Sequence, residues 1–238
     1  MREKNRLIVA LDGDNYEQAE KLIDTLSPEV DIFKVGAAPF TAYGHEVLKK
    51  INEAGKKVFL DLKVHDIPNT VANAARAAAE KRVFMMNFHC LGGGRMLEAA
   101  ARGAKEGSEI SGGKPPILLG VTVLTSMSDE DMREIGLAGR VQDKVLELAR
   151  LAKDSGLDGV VASAQEAHLI KEKIGKDFIV VTPGVRPEWA QAGDQKRIVT
   201  PKQAIEGGAD YIVVGRPIIK DDDPLGAAKK IIKEMERP

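Results

Sequence analysis

The chain has 238 residues, 43% hydrophobic and 30% charged, an ordinary globular composition with enough apolar residues for a substantial core. Aromatic residues make up 4%, and 35 Lys+Arg against 36 Asp+Glu leave a formal net charge of -1, so neither base stacking nor bulk charge directs the chain to nucleic acid or an anionic membrane. The single cysteine, Cys90, excludes an intrachain disulfide framework and any multi-cysteine metal site. No apolar run reaches the ~20 residues of a membrane span, and the run at 7–11 is too short for a signal-peptide core, so a cytoplasmic protein is expected.

In chain order, short β-branched runs alternate with stretches of helical periodicity. The predicted strands are 7–11, 31–35, 57–61, 83–89, 117–123, 158–162, 178–182 and 211–214. They read as continuous apolar runs, the pattern of strands buried on both faces. Residues 16–26 form an amphipathic helix with Ala19, Leu22, Ile23 and Leu26 on one side, and 141–154 another with Val145, Leu148, Leu151 and Ala152. Gly55, Gly156, Gly175 and Gly208 fall where helices should stop. Eight strands alternating with helices predict an α/β fold, a (β/α)8 TIM barrel forming a single domain over 1–238. The competing arrangement is an open doubly wound sheet. Against it, no G-x-G-x-x-G follows the first strand, and no linker divides the chain. Gly112-Gly113-Lys114 lacks the upstream glycine of a P-loop and runs into Pro115, and Gly92-Gly93-Gly94 reads as a loop entering a helix.

Polar residues then fall at strand ends. Asp12 follows the first strand, Lys34 lies near the end of the second, and Asp61 and Lys63 end the third. His89 ends the fourth, Thr125 follows the fifth, Arg186 the seventh, and Gly215-Arg216 the eighth. In a barrel these ends share the face on which active sites are built. Within DLKVHDIPNT at 61–70, Asp61 and Lys63 are two apart and point the same way while the chain is extended. Lys34 approaches from the neighbouring strand, giving alternating opposite charges in a confined place. A purely structural ion-pair network is the alternative reading. The loops after strands seven and eight, PGVRP at 183–187 and GRP at 215–217, suit a phosphate, with Gly215 for close backbone approach and Arg216 as a planar fork. The polar stretch 188–200 is either a mobile lid or a solvated loop. His45 and His65 have no partner at metal-ligand spacing, His168 reads as a surface residue among helical charges, and Cys90 reads as a small core thiol. No chemistry is assigned to Met127 or Trp189.

The motif at 61–70 resembles the D-x-K-x-x-D-I signature of the orotidine 5'-phosphate decarboxylase family, in its shorter, bacterial-type form. The resemblance extends through IVALD at 8–12, FKVG at 33–36, VTVLTSM at 121–127, GLDGVVASAQEA at 156–167, VTPGVRP at 181–187, AGDQKR at 192–197 and VVGRP at 213–217. It implies a cofactor-free and metal-free enzyme acting on a nucleotide, orotidine 5'-phosphate, and a homodimer with shared active sites. Lys63 would be the acid that protonates C6 of the pyrimidine. Lys34, Asp61 and Asp66 would complete the charged array, with Asp66, Ile67 and Thr70 reaching across from the second subunit. Asp12 and Lys34 would hold the ribose, and Thr125 would lie against the base. Arg186, Gln195, Gly215 and Arg216 would hold the phosphate. Two rivals are a related barrel that uses Mg²⁺ on a sugar phosphate and a catalytically silent nucleotide-binding barrel. The former places an acidic ligand where this chain has Lys34.

Overall fold

The structure is a computed structural model that describes residues 6–12, 15–189 and 199–236. In chain order the elements are β1 (Leu7–Ala10), α1 (Tyr16–Leu26), β2 (Ile32–Gly36), α2 (Ala37–Tyr43), α3 (Glu46–Glu53), β3 (Lys57–Val64), α4 (Pro68–Glu80) and β4 (Met85–His89). They continue with α5 (Gly94–Ser111), β5 (Ile117–Val121), α6 (Asp129–Glu134), α7 (Val141–Asp154), β6 (Gly159–Val161) and α8 (Ala164–Lys173). Last come β7 (Ile179–Thr182), α9 (Pro201–Glu206), β8 (Tyr211–Val214), α10 (Arg216–Ile219) and α11 (Pro224–Met235). Each strand pairs in parallel with the next, and β8 pairs with β1, closing the barrel. That last pairing excludes the open sheet.

Every strand is buried on both faces, for two different reasons. Ile8, Ile32, Phe59, Met85, Leu119 and Val181 point inward and fill the barrel. Their neighbours Val9, Phe33, Leu60, Met86 and Val180 point outward beneath the helices. The side chains alternate with the period of two that a strand imposes, and both sets are apolar, so the sequence shows no alternation. The inward phase then changes character toward the C-terminal ends. Ile32 is followed by Lys34, Phe59 by Asp61, and Met85 by Asn87, two residues on and on the same face. The polar layer therefore rests on a packed apolar one.

Helices α1 and α7 have the boundaries read from their periodicity. The buried residues of α1 are Ala19, Ile23 and Leu26, its apolar stripe. Gly55 and Gly156 follow α3 and α7 with left-handed backbones, at φ 69° and 83°. β3 departs from expectation, running to Val64 where the sequence reading stopped at 61. No helix among the described residues is long and apolar enough to cross a membrane.

Helices α4 and α5 pack backbone against backbone. A Cβ on Gly103 would lie 2.1 Å from the Ala72 carbonyl oxygen, and one on Gly107 would lie 2.3 Å from that of Arg76. The two backbones approach because these positions lack side chains. This contact fixes α4, whose N-terminus carries the 66–70 stretch. Gly103→Ala should therefore force the helices apart and destabilise the fold by about 1–3 kcal/mol, the usual cost of overpacking. A urea unfolding midpoint equal to that of the parent would show that the contact is not tight.

Candidate active site

The site starts from an irregularity in β3. Leu60 pairs with Met86 and Val64 with Phe88, so four steps along β3 span two along β4. At this bulge Lys63 takes a left-handed backbone, φ 50°, a conformation that costs a residue with a Cβ about 1–2 kcal/mol. Its backbone N–H donates to Asn87 Oδ1 at 2.8 Å. Despite the bulge the Lys63 side chain still meets Asp61, with Nζ donating to Oδ1 at 2.7 Å. The expected convergence of Asp61 and Lys63 holds, but through a bulge and not through a straight strand.

From Asp61 the charges run in a line. Lys34 Nζ lies 3.2 Å from Asp61 Oδ2 and 3.8 Å from Asp12 Oδ1. Asp12, Lys34, Asp61 and Lys63 thus alternate in sign. The side chains of Lys34 and Asp61 are each only 12% exposed, against 39% for Lys63 and 54% for Asp12. Burial alone would raise the Asp61 carboxyl. The Lys34 and Lys63 charges, with hydrogen bonds from Lys63 and Asn87, outweigh it and hold the carboxyl below its ordinary value. Gly36 supports the same line, because a Cβ there would come within 3.1 Å of Lys34 Nζ.

Two adjoining cavities open on this array. One, of about 210 Å³, is bounded by Lys34, Asp61, Lys63 and Thr125, with apolar walls that include Val121 and Val161. The other, of about 220 Å³, is bounded by Asp12, Lys34, Asp61, Arg186, Gly215 and Arg216. Lys34 and Asp61 belong to both. Arg186 is buried, and its backbone N–H donates to the Val199 carbonyl at 3.0 Å, next to the Val185–Val199 bridge. Gly215 precedes α10, and the direction of its missing Cβ lies 3.6 Å from Asp12 Oδ2, so the space a side chain would fill is left to the cavity.

Asp66, Ile67 and Thr70 are all exposed and border neither cavity. Asp66 Oδ1 accepts from the Ile67 N–H, and the Ile67 side chain is bare to solvent at 66% exposure. Gln195 lies outside the described residues. His89 points the same way along β4 as Asn87 and forms a tilted ring pair with His65 at 5.6 Å. Burial, and then the charges of His65 and Lys63, lower its pKa. Cys90 is buried, and burial pushes its thiol up to about 12, which suits a core thiol and not a nucleophile. Two site residues escaped the sequence reading, Asn87 and Gly36. Asn87 left a signal, a lone amide inside the apolar run VFMMNF. Gly36 left none, since its need for space arises only from the fold.

Fold and site together define a (β/α)8-barrel protein with a two-part cavity built around a Lys/Asp array. Residues 5–231 match the Orotidine 5'-phosphate decarboxylase / HUMPS family, and the chain belongs to it. It is 50% identical over 232 residues to the orotidine 5'-phosphate decarboxylase of Syntrophotalea carbinolica, covering 98% of this chain and 95% of that protein. It is 47% identical over 237 residues to that of Moorella thermoacetica, covering 99% and 94%. The crystal structure of orotidine 5'-phosphate decarboxylase from Lactobacillus acidophilus superposes with a TM-score of 0.87 at 43% identity, covering 98% of this chain and all of that one.

The depressed Asp61 fixes the sign of an acid response. Its folded pKa lies below the ordinary 3.8, so its contribution to stability is complete above that value and is lost as pH falls through the lower, folded one. Asp61→Asn should be less stable than the parent at neutral pH, and the gap in thermal midpoint should close in strong acid. A gap that stays constant through the acid range would contradict the ionised array.

Proposed function

We propose that this chain decarboxylates orotidine 5'-monophosphate to uridine 5'-monophosphate and CO2, the last step of UMP formation, using its own side chains and no cofactor. The observation that carries the mechanism is the lysine held by Asp61 at the wall of a largely apolar cavity, with an arginine-lined cavity adjoining it. The base occupies the first cavity against Thr125, and the phosphate occupies the second, held by Arg186, Arg216, the Gly215 backbone and Gln195. Asp12 and Lys34, between the two, take the ribose hydroxyls.

The C6–carboxylate bond breaks, CO2 leaves, and the electron pair stays on C6 in an orbital that the ring carbonyls do not delocalise. The barrier reduction required falls near the upper end of the general ~8–23 kcal/mol range. Lys63 places a fixed positive charge beside that carbon as its negative charge develops, then gives its proton to C6 and is reprotonated from solvent. Asp61, next to the departing carboxylate, keeps Lys63 in place. The phosphate, remote from the bond that breaks, supplies binding energy that orients the base.

Asp66, Ile67 and Thr70 act in a second copy of the chain. Their exposure on one edge, outside this chain's own cavities, supports a homodimer in which each copy completes the other's site. Lys63 has one carboxylate partner among the described residues, and Asp66 of the second copy would be its other. The Mg²⁺ alternative is disfavoured by Lys34, because an ammonium 3.2 Å from Asp61 occupies the place and the charge that a divalent cation would need.

The direct test is turnover of orotidine monophosphate by purified protein in excess EDTA, followed spectrophotometrically. Turnover unaffected by EDTA supports the reading, and folded protein without turnover refutes it. Lys63→Ala should abolish turnover with the fold intact, and more than a few per cent residual activity would rule out its acid role. Arg216→Ala should raise KM far more than it lowers kcat, and an unchanged KM would contradict the phosphate assignment. Mixing inactive Lys63→Ala and Asp66→Ala chains should restore activity, since a mixed dimer holds one intact site. No recovery after proven subunit exchange would sink the sharing.

A further inference from the structure

The inward-facing residue of β4 at the level of the charged array is Asn87, fully buried in a strand that is otherwise apolar up to His89. A buried amide needs partners for both its ends, and here the partners are unusual. Its Oδ1 accepts from the Lys63 backbone N–H at 2.8 Å, and its Nδ2 donates to Asp61 Oδ1 at 2.6 Å. The orientation of the amide follows from chemistry, since a backbone N–H only donates and a carboxylate only accepts. Other interior positions, Val121, Val161 and Val213, offer no such group and wall the base cavity instead.

The consequence for Asp61 is that neither oxygen is at liberty. Oδ1 takes Lys63 Nζ and Asn87 Nδ2, while Oδ2 faces Lys34 Nζ at 3.2 Å. Rotation of the carboxylate would break contacts on both sides. For Lys63, the same amide gives the backbone N–H its partner at the β3 bulge, and so holds the left-handed backbone in which the ammonium reaches Asp61. One side chain thus sets the base of the lysine and the carboxylate that aims its tip.

We propose that Asn87 is a positioning residue for the decarboxylation, acting through Lys63 and Asp61 without touching the substrate. The proposal rests on the decarboxylase reading given above. Loss of the amide frees the Asp61 carboxylate and the Lys63 backbone together, and displaces the ammonium from the reacting carbon. The phosphate cavity, with Arg186 and Arg216, does not include Asn87 and meets its network only through Asp61 and Lys34, so the loss falls on kcat far more than on ground-state binding.

The test compares the parent, Asn87→Ala and the isosteric Asn87→Asp as full-length proteins, well below their unfolding temperatures. Asn87→Asp keeps an acceptor for the Lys63 N–H but presents a second carboxylate to Asp61. Both variants should lose about 100-fold in kcat, the scale of a misplacement near 1 Å, with KM and UMP affinity changed by no more than about threefold. A structural role would lower the melting temperature and leave this kcat-against-KM split unmoved. A folded Asn87→Ala whose kcat stays within about threefold of the parent overturns the proposal. If that variant does not fold, parental kcat in Asn87→Asp overturns it. If neither folds, amide exchange in the parent decides, because Asn87 should protect the Lys63 N–H and solvent-like exchange there refutes the contact. No turnover by the parent itself would refute the decarboxylase reading instead, so the two failures are distinguishable.

Discussion

Everything at the open end of this barrel depends on the carboxylate of Asp61. It is 12% exposed, lies between two ammonium groups, and belongs to both cavities. A carboxylate removed from water is costly alone, and so are two lysines brought together. Combined, they form a line in which each inner charge has an opposite on either side, and the depressed Asp61 pKa records the balance. The constraint acts in both directions. The lysines are tolerated in so confined a place because of Asp61, and their charges hold its carboxyl below its ordinary value despite its burial.

Such an array does not stabilise a fold on its own, so the fold has to be secured elsewhere. The securing is done one layer down and one layer out. Below Lys34 and Asp61 the barrel is filled by Ile32, Phe59 and their apolar neighbours, while outside it Phe33, Leu60 and Phe88 pack beneath the helices. The α4–α5 contact at Gly103 and Gly107 then carries this rigidity up to the 66–70 stretch. At the rim, strain falls on Lys63, which holds a backbone that a lysine seldom adopts.

The barrel was legible because its evidence is periodic and repeated. Alternating strands and helices recur along the chain, and α1 and α7 match their periodicity to the residue. The charged residues were legible because each stands at the end of an apolar run, where no core position explains it. Asp61 and Lys63 were placed together for a reason that proved incomplete. Two-residue spacing orients side chains alike only in a regular strand, and here a bulge intervenes that no local pattern announces. Asn87 was passed over because a single amide in an apolar strand has no meaning until its partners on β3 are known. Gly36 is a stronger case, since only the position of the Lys34 ammonium gives that glycine a purpose.

The bulge itself has a physical rationale. β3 residues alternate between neighbours, the Lys57 N–H donating to the Asp31 carbonyl before β2 and the Val58 carbonyl accepting from Phe84 before β4. In a straight β3 the Lys63 N–H would therefore face the β2 side, past the last β2 residue, Gly36. At the bulge that N–H meets a side chain instead, Asn87, which is also bonded to Asp61. Main chain and carboxylate are thereby tied to one another, and a shift in either is felt by both. A sheet hydrogen bond would hold the lysine just as firmly but independently of Asp61. The side-chain bond couples the anchoring of the lysine to the charge that aims it, and the left-handed strain at Lys63 accompanies that coupling.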